Sequence, residues 1–167
     1  AMAHALMAWS SSGVKPPVSI CLAVCVDEEF SFGGARALLR DGIRAEGIII
    51  GEPTDLHLVV THKGVVRTAI HFEGISAHAA LPDLGVNAIE AAGSFIEEMR
   101  TWYFPQLRKR ATSLLSPPTV NIGLIEGGVQ PNLVAPSCEI LLERRLLPHE
   151  TPEQYEQELN SVLDRTS

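Results

Sequence analysis

The first third of the chain alternates short apolar segments with turn-forming residues. Residues 18–26 and 47–50 are almost entirely apolar and β-branched, a pattern typical of strands buried on both faces of a parallel sheet. Good helix formers fill residues 1–9, and residues 32–39 are compatible with a short helix. Residues 1–55 therefore predict the order α-β-α-β, which is typical of an α/β sheet.

The rest of the chain has a different pattern, in which apolar and polar residues alternate as in half-buried antiparallel strands. The predicted elements are, in order, strand 65–72, helix 86–103, strands 119–125 and 134–142, and a helix that begins at Thr151. Pro152 and Gln154 complete a capping-box sequence at the start of that last helix. The apolar stripes of the two helices are Ile89, Ala92, Ile96, Met99 and Tyr103 in the first, and Tyr155, Leu159 and Val162 in the second.

This second order, β-α-β-β-α, is one strand short of the ferredoxin-like β-α-β-β-α-β sandwich, in which four strands cover two helices. The chain also opens within a helical pattern that no capping residue precedes. We therefore expect a chain that is truncated at both ends and lacks the last strand of its second domain.

Composition and charge narrow the classes of partner. The 167 residues are 46% hydrophobic, and 13 basic against 20 acidic residues give a net charge of −7. The chain has no basic run beyond residues 108–110, so nucleic acid is not an expected partner. No apolar stretch approaches the ~20 residues of a membrane span, so a membrane is not an expected partner either. Cys21, Cys25 and Cys138 form no C-x-x-C pair and suit a reducing compartment, which predicts a cytoplasmic protein.

Acidic residues follow both predicted buried strands. Asp27-Glu28-Glu29 comes directly after the first strand, and Glu52 comes after the second. Ligands of open α/β sheets bind at this edge, and carboxylates brought together there repel one another unless a cation or a proton lies between them. Neighbouring residues on an extended chain point to opposite sides, so Glu28-Glu29 favours one general base and one metal ligand. A solvated acidic turn is the alternative for this triplet.

Three other polar residues are candidates for contact with a substrate. His78 follows strand 65–72 among small residues, where an accessible imidazole can donate to a developing oxyanion. Arg145 follows strand 134–142, and its guanidinium can clamp a carboxylate. Asn132 lies in a turn that contains glycine. The alternatives are a structural histidine, a salt bridge at the rim of the sheet, and ordinary turn chemistry.

These residues belong to a series of motifs along the chain. They are D-E-E at 27–29 with F-G-G-A at 32–35, G-E-P-T at 51–54, H-K-G at 62–64, G-x-x-x-H-x-x-x-P-x-x-G-x-N-A-I at 74–89, N-x-G-x-x-x-G-G-x-x-x-N-x-x-x-P at 121–136, and R-x-x-P at 145–148. In order and spacing the series resembles the M20 metallopeptidase family, which includes acetylornithine deacetylase, succinyl-diaminopimelate desuccinylase, aminoacylase and glutamate carboxypeptidase. The resemblance covers nearly the whole chain.

The resemblance implies two domains. Residues 1–56 would be part of a zinc-peptidase-like catalytic α/β domain that holds two zinc ions, and residues 57–167 would be a ferredoxin-like α+β lid that forms a homodimer. Carboxylate-rich sites also accept cobalt or manganese, so either metal is an alternative to zinc.

The resemblance also implies a role for each candidate residue. Glu28 would be the general base that activates the bridging water, Glu29 a ligand of one zinc, and Glu52 a ligand of the other. His78 would reach into the active site of the partner subunit to stabilise the oxyanion. The residues that would contact the substrate are Asn132 and Arg145.

The family's H-x-D motif, its bridging Asp and its final His ligand have no counterpart in this sequence. We therefore expect the chain by itself to be inactive. The expected parent protein is a di-zinc amidohydrolase that removes an acyl group from a small N-acyl amino acid, of the N-acetylornithine or N-succinyl-diaminopimelate type. The alternatives are a di-zinc exopeptidase that acts on short peptides and a non-catalytic dimerisation or binding module.

Overall fold

A computed structural model describes residues 1–29 and 31–166. The chain divides into two compact units, Ala1–Leu58 and Val59–Ser167.

The first unit contains two helices, α1 (Met2–Ser11) and α2 (Gly33–Arg40), which confirms both predicted helices. The two predicted buried strands are wrong for this structure, because residues 18–26 and 47–50 are exposed and form no strand. A strand buried in a parallel sheet needs a hydrogen-bonded neighbour and helices over both faces. The described part of this unit contains no paired strand, so the apolar sequence alone does not produce a sheet.

The second unit is built from strands and helices in the predicted order β-α-β-β-α. Its elements are β1 (Gly64–Glu73), α3 (Ala88–Glu98), α4 (Phe104–Leu107), β2 (Thr119–Gly127), β3 (Ser137–Leu146) and α5 (Pro152–Leu163). A short 3₁₀ helix, Pro82–Leu84, precedes α3, and a π-helical turn, Met99–Tyr103, joins α3 to α4. The strands form an antiparallel sheet in the order β1-β3-β2, so β1 and β2 each pair with β3.

One face of this sheet carries the hydrophobic core. Alternate residues of β3 point towards α3 and α5, and Ile140 at the centre is completely buried. The apolar stripe of α5 is confirmed. In the preceding helical segment Ala92, Met99 and Tyr103 are buried as predicted, whereas Ile89 is wrong, because it is 44% exposed and Phe95 is buried instead. The helices contribute Ala88, Ala92, Phe95, Met99, Tyr103, Leu107, Tyr155, Leu159 and Val162 to the core.

The π-helical turn has an identifiable cause. Pro105 lies in the first turn of α4, has no backbone N–H, and in a regular α-helix its ring would press on the carbonyl of Thr101. The wider π turn separates the proline from the preceding helix and lets the chain run on to Leu107.

Candidate functional site

His78 lies in the loop after β1, at the end of the sheet where β3 begins. An isolated antiparallel bridge pairs it with Leu133, and the backbone N–H of Ala80 donates to its Nδ1 at 3.1 Å. Since Nδ1 accepts this bond, the neutral imidazole carries its proton on Nε2. The ring is exposed, so an N–H donor is available at the surface.

Asn132 lies on the segment that faces His78. Its backbone carbonyl accepts from the N–H of Ala79 at 3.0 Å, and the N–H of Val134 donates to the carbonyl of Ala77 at 2.8 Å. These two bonds lie on either side of the bridge between His78 and Leu133, and they join the loop that carries His78 to the segment that carries Asn132. The structure therefore brings together two predicted site residues that lie 54 positions apart in the sequence (132 minus 78).

A glycine fixes the start of the His78 loop. A Cβ at Gly74 would lie 2.2 Å from the carbonyl oxygen of Val86 and 2.7 Å from that of Ala135. Both neighbours are backbone atoms, so no side chain fits there. Gly74 thus lets the loop pack against the chain on either side of it.

Arg145 lies near the other end of β3. It is paired with Val65 of β1 and Thr119 of β2, and its side chain is 48% exposed on the sheet face opposite the helices. Its Nε and Nη2 donate to Oε1 of Glu143 at 3.0 and 2.6 Å, and Nε of Arg67 donates to Oε2 of the same carboxylate at 3.1 Å. The hydrogen bond from Arg67, and next the hydrogen bond from Arg145, lower the pKa of Glu143.

The two ends of β3 are too far apart for one small molecule. Arg145 lies eight positions after Ser137, and at ~3.3 Å per residue the strand spans about 26 Å between them. His78 lies beyond the Ser137 end. His78 and Arg145 of one chain cannot therefore contact the same amino-acid-sized substrate.

The acidic candidates lie in the first unit, and all of them are exposed. Glu28 and Glu29 form a turn before α2, in which the N–H of Gly34 donates to the carbonyl of Val26 at 3.1 Å. Glu52 lies in an irregular segment. Within residues 1–29 and 31–166, no three His, Cys, Asp or Glu side chains come together as a metal site. The strand ends that the sequence predicted for these carboxylates do not form.

The sequence did not predict a buried ionic cluster on the helix side of the sheet. Arg144 is 1% exposed, and its Nη2 lies 3.0 Å from Oε1 of Glu150 and 3.8 Å from Oε2 of Glu158. Arg110 contacts both glutamates. Burial raises the pKa of Tyr103, and its hydrogen bond to Glu158 raises it further. Strand alternation is the sequence signal that could have predicted this burial. Two consecutive strand residues point to opposite faces, so only one residue of the Arg144-Arg145 pair can point away from the core.

No helix in the described part of the chain is long and apolar enough to span a membrane.

Comparison with known proteins gives consistent matches. The family model described as the peptidase dimerisation domain of M20 matches residues 60–167. Acetylornithine deacetylase of Myxococcus xanthus is 34% identical over 158 residues, which cover 93% of this chain and 41% of that protein. The Edwardsiella ictaluri enzyme of the same name is 38% identical over 140 residues, covering 82% of this chain and 37% of that protein. The chain thus spans about two fifths of the length of these relatives.

A solved structure from methicillin-resistant Staphylococcus aureus, named as an aminohydrolase, superposes with a TM-score of 0.50 at 23% identity. The match covers 62% of this chain and 26% of that one, and it supports the fold.

Proposed function

Because this chain belongs to the M20 family through its peptidase dimerisation domain, we propose that it is part of a metal-dependent amidohydrolase. The enzyme would remove the acyl group from an N-acyl amino acid of the N-acetylornithine or N-succinyl-diaminopimelate type. Identity of 34–38% to proteins named acetylornithine deacetylase favours the first substrate. The structural observation that carries the proposal is the exposed Nε2–H of His78 beside Asn132.

The proposed metal is zinc, two ions per site, with cobalt or manganese as the alternatives. The carboxylate oxygens of Glu29 and Glu52 suit any of these ions, but zinc sites take three or four protein ligands. We therefore assign Glu29 and Glu52 as contributors to the metal centre of the whole enzyme and not as a complete site. When bound, the ions lower the pKa of a water molecule and polarise the scissile carbonyl.

Glu28 is the proposed general base. It neighbours Glu29 in an exposed turn, and because Glu29 is the proposed metal ligand, the carboxylate of Glu28 is assigned to take the proton of the attacking water. The same carboxyl group can then return that proton to the departing amine, because a base that has been protonated becomes an acid.

His78 is the proposed oxyanion donor. The bond from the Ala80 N–H to Nδ1 fixes the tautomer that carries the proton on Nε2 and leaves that donor outside the hydrogen bond within the loop. A donor held in this way stabilises the negative charge that develops on the carbonyl oxygen without first having to reorganise. Asn132, on the facing segment, would add an amide contact to the same end of the substrate.

Arg145 is the proposed partner of the substrate carboxylate. Since His78 and Arg145 lie at opposite ends of a strand that spans about 26 Å, one substrate can meet both only when they come from two copies of the chain. We therefore propose a homodimer in which each site uses Arg145 of one subunit and His78 with Asn132 of the other. We also propose that the boundary between the two domains lies near residue 57. The proposed location is the cytoplasm, because the free cysteines suit a reducing compartment.

The test is hydrolysis of N-acetyl-L-ornithine by the whole metal-loaded enzyme, followed through the released amine. Loss of turnover on chelation, with recovery on adding zinc, supports the proposal. Turnover of dipeptides alone would favour the exopeptidase. A metal-loaded dimer that hydrolyses neither substrate would favour a dimerisation or binding module.

A further inference from the structure

The proposed substrate arginine is already bound to a carboxylate within its own strand. Glu143 and Arg145 are two positions apart on β3 and therefore share the face of the sheet opposite the helices. Oε1 of Glu143 receives both Nε–H and an Nη2–H, so the carboxylate occupies the side-on edge of the guanidinium. At first sight Glu143 competes with any carboxylate that Arg145 is meant to bind.

The geometry leaves a second edge of that guanidinium open. Arginine has five N–H donors in a rigid fork, and Glu143 uses the edge formed by Nε and Nη2. The other edge, formed by Nη1 and the second Nη2–H, has no protein acceptor within the part of the chain that the structure describes. Two parallel N–H groups on this outer edge match the two oxygens of a carboxylate.

Arg67 offsets the charge of Glu143. It lies directly opposite Glu143 on β1, and its Nε donates to Oε2, the oxygen that Arg145 does not use. Glu143 therefore bridges two guanidinium groups, and the three side chains together carry one net positive charge. An anionic substrate still meets a cationic site.

We propose that Glu143 is a positioning residue, which holds Arg145 side-on so that the outer edge of the guanidinium faces the substrate carboxylate, while Arg67 balances the charge of Glu143. This rests on the proposed function, which assigns Arg145 to the substrate. Nothing in the resemblance to the family assigns a role to Glu143 or Arg67.

Two effects of removing Glu143 oppose each other. The Glu143 carboxylate, half-buried at the edge of the solvent, repels the substrate only weakly because two guanidinium groups already contact it, so relieving the repulsion strengthens binding at most about threefold. Losing the fixed orientation of a bidentate donor weakens binding about tenfold or more. The loss of orientation is therefore expected to dominate.

The kinetic test compares N-acetyl-L-ornithine with its carboxamide, which lacks the carboxylate, on the whole metal-loaded enzyme. Because relief of the repulsion offsets part of the loss, Glu143→Ala should raise KM for the acid about three- to tenfold, with kcat within about twofold and KM for the carboxamide unchanged. Glu143→Asp should restore most of the affinity, because it keeps the charge. Glu139→Gln is the matched control: it lies on the same face of β3 but pairs with His71, and it should alter neither KM. An unchanged or lower KM for the acid, or an equal rise for both substrates, overturns the proposal.

A second measurement is independent of turnover. In the ¹⁵N-labelled chain, the Nε–H of Arg145 should exchange with water more slowly than that of Arg108, which is exposed and has no ion pair among the described residues. Glu143→Ala should remove the difference and Glu139→Gln should not. If the wild-type enzyme hydrolyses neither compound, the proposed function fails and this comparison alone decides the role of Glu143. Equal exchange of the two arginines in the wild-type chain overturns the inference.

Discussion

Arg144 and Arg145 are consecutive residues of β3 with opposite environments. Arg144 is 1% exposed and lies 3.0 Å from Glu150 on the helix side, whereas Arg145 is 48% exposed and contacts Glu143 on the other face. Strand alternation makes one guanidinium structural and leaves the other accessible to a ligand. The pair therefore offers a matched comparison of two arginines in the same strand.

Arg144→Met should destabilise the protein much more than Arg145→Met. Without the buried guanidinium, Arg110 is the cation left to contact Glu150 and Glu158, and Glu150 is only 9% exposed. Breaking a buried ion pair in this way costs about 3–5 kcal/mol of unfolding free energy. Arg145→Met removes an exposed pair worth ~1 kcal/mol or less. Urea unfolding of both variants measures the difference, and equal changes would contradict the structural role of Arg144.

The start of α5 gives a smaller, more local prediction. The Thr151 side chain accepts from the N–H of Gln154 at 3.3 Å, and the Gln154 side chain accepts from the N–H of Thr151 at 3.0 Å, which completes the capping box. Thr151→Ala should lower the free energy of unfolding by about 1 kcal/mol. Ser161→Ala in the same helix is the control, since its exposed hydroxyl donates only to the carbonyl of Gln157 and alanine favours the helix. A thermal shift as large for Ser161→Ala would argue against the cap.

The sequence predicted the second unit far better than the first. In the second unit, alternation along β1 and β3, the helical spacing and the capping box are local signals, and each element has a partner that satisfies its pattern. Residues 18–26 carry an equally strong strand pattern, but a buried strand depends on neighbours that the described chain does not supply. The π turn and the burial of Arg144 arise from tertiary packing, which no short window of sequence contains.

Acid should weaken the outer face of the sheet through Glu143. Arg67 and Arg145 lower its pKa in the folded protein, so its contribution to stability is present above the ordinary glutamate pKa of about 4.3. That contribution is lost as the pH falls through the lower pKa of the folded state. Carboxyl ¹³C titration should give Glu143 a lower midpoint pH in the wild-type protein than in an Arg67→Gln variant. A midpoint that does not change in this variant would contradict a role of the Arg67 hydrogen bond in lowering this pKa.

Glu28→Gln should separate the general base from the metal ligands. In the whole enzyme this change should lower kcat by about 10²- to 10⁴-fold, because glutamine cannot accept the proton of the attacking water. Bound metal, measured by elemental analysis, should stay at the wild-type level. Glu29→Ala and Glu52→Ala should instead lower the metal content. A Glu28→Gln enzyme with near-normal turnover would remove Glu28 from the mechanism.

The distance between His78 and Arg145 makes donation across a dimer testable by mixing two inactive variants. His78→Ala should lower kcat by about 10²- to 10³-fold, as expected for the loss of one oxyanion donor, while fold and metal content stay normal. Mixed with Glu28→Gln under conditions in which subunits exchange, it should regain activity. In a mixed dimer, the site with an intact Glu28 receives an intact His78 from the other subunit, whereas the second site lacks both.

The size of the recovery distinguishes the two arrangements. Random exchange makes about half of the dimers mixed, each with one competent site of two, so about a quarter of wild-type activity should return. If His78 served the site of its own subunit, every site in the mixture would lack either the base or the donor, and activity would stay at the level of the two variants. Native mass spectrometry of differently tagged subunits confirms that exchange has occurred. An inactive mixture despite proven exchange would refute donation by His78 to the partner's site, and with it the dimeric active site that the 26 Å span of β3 supports.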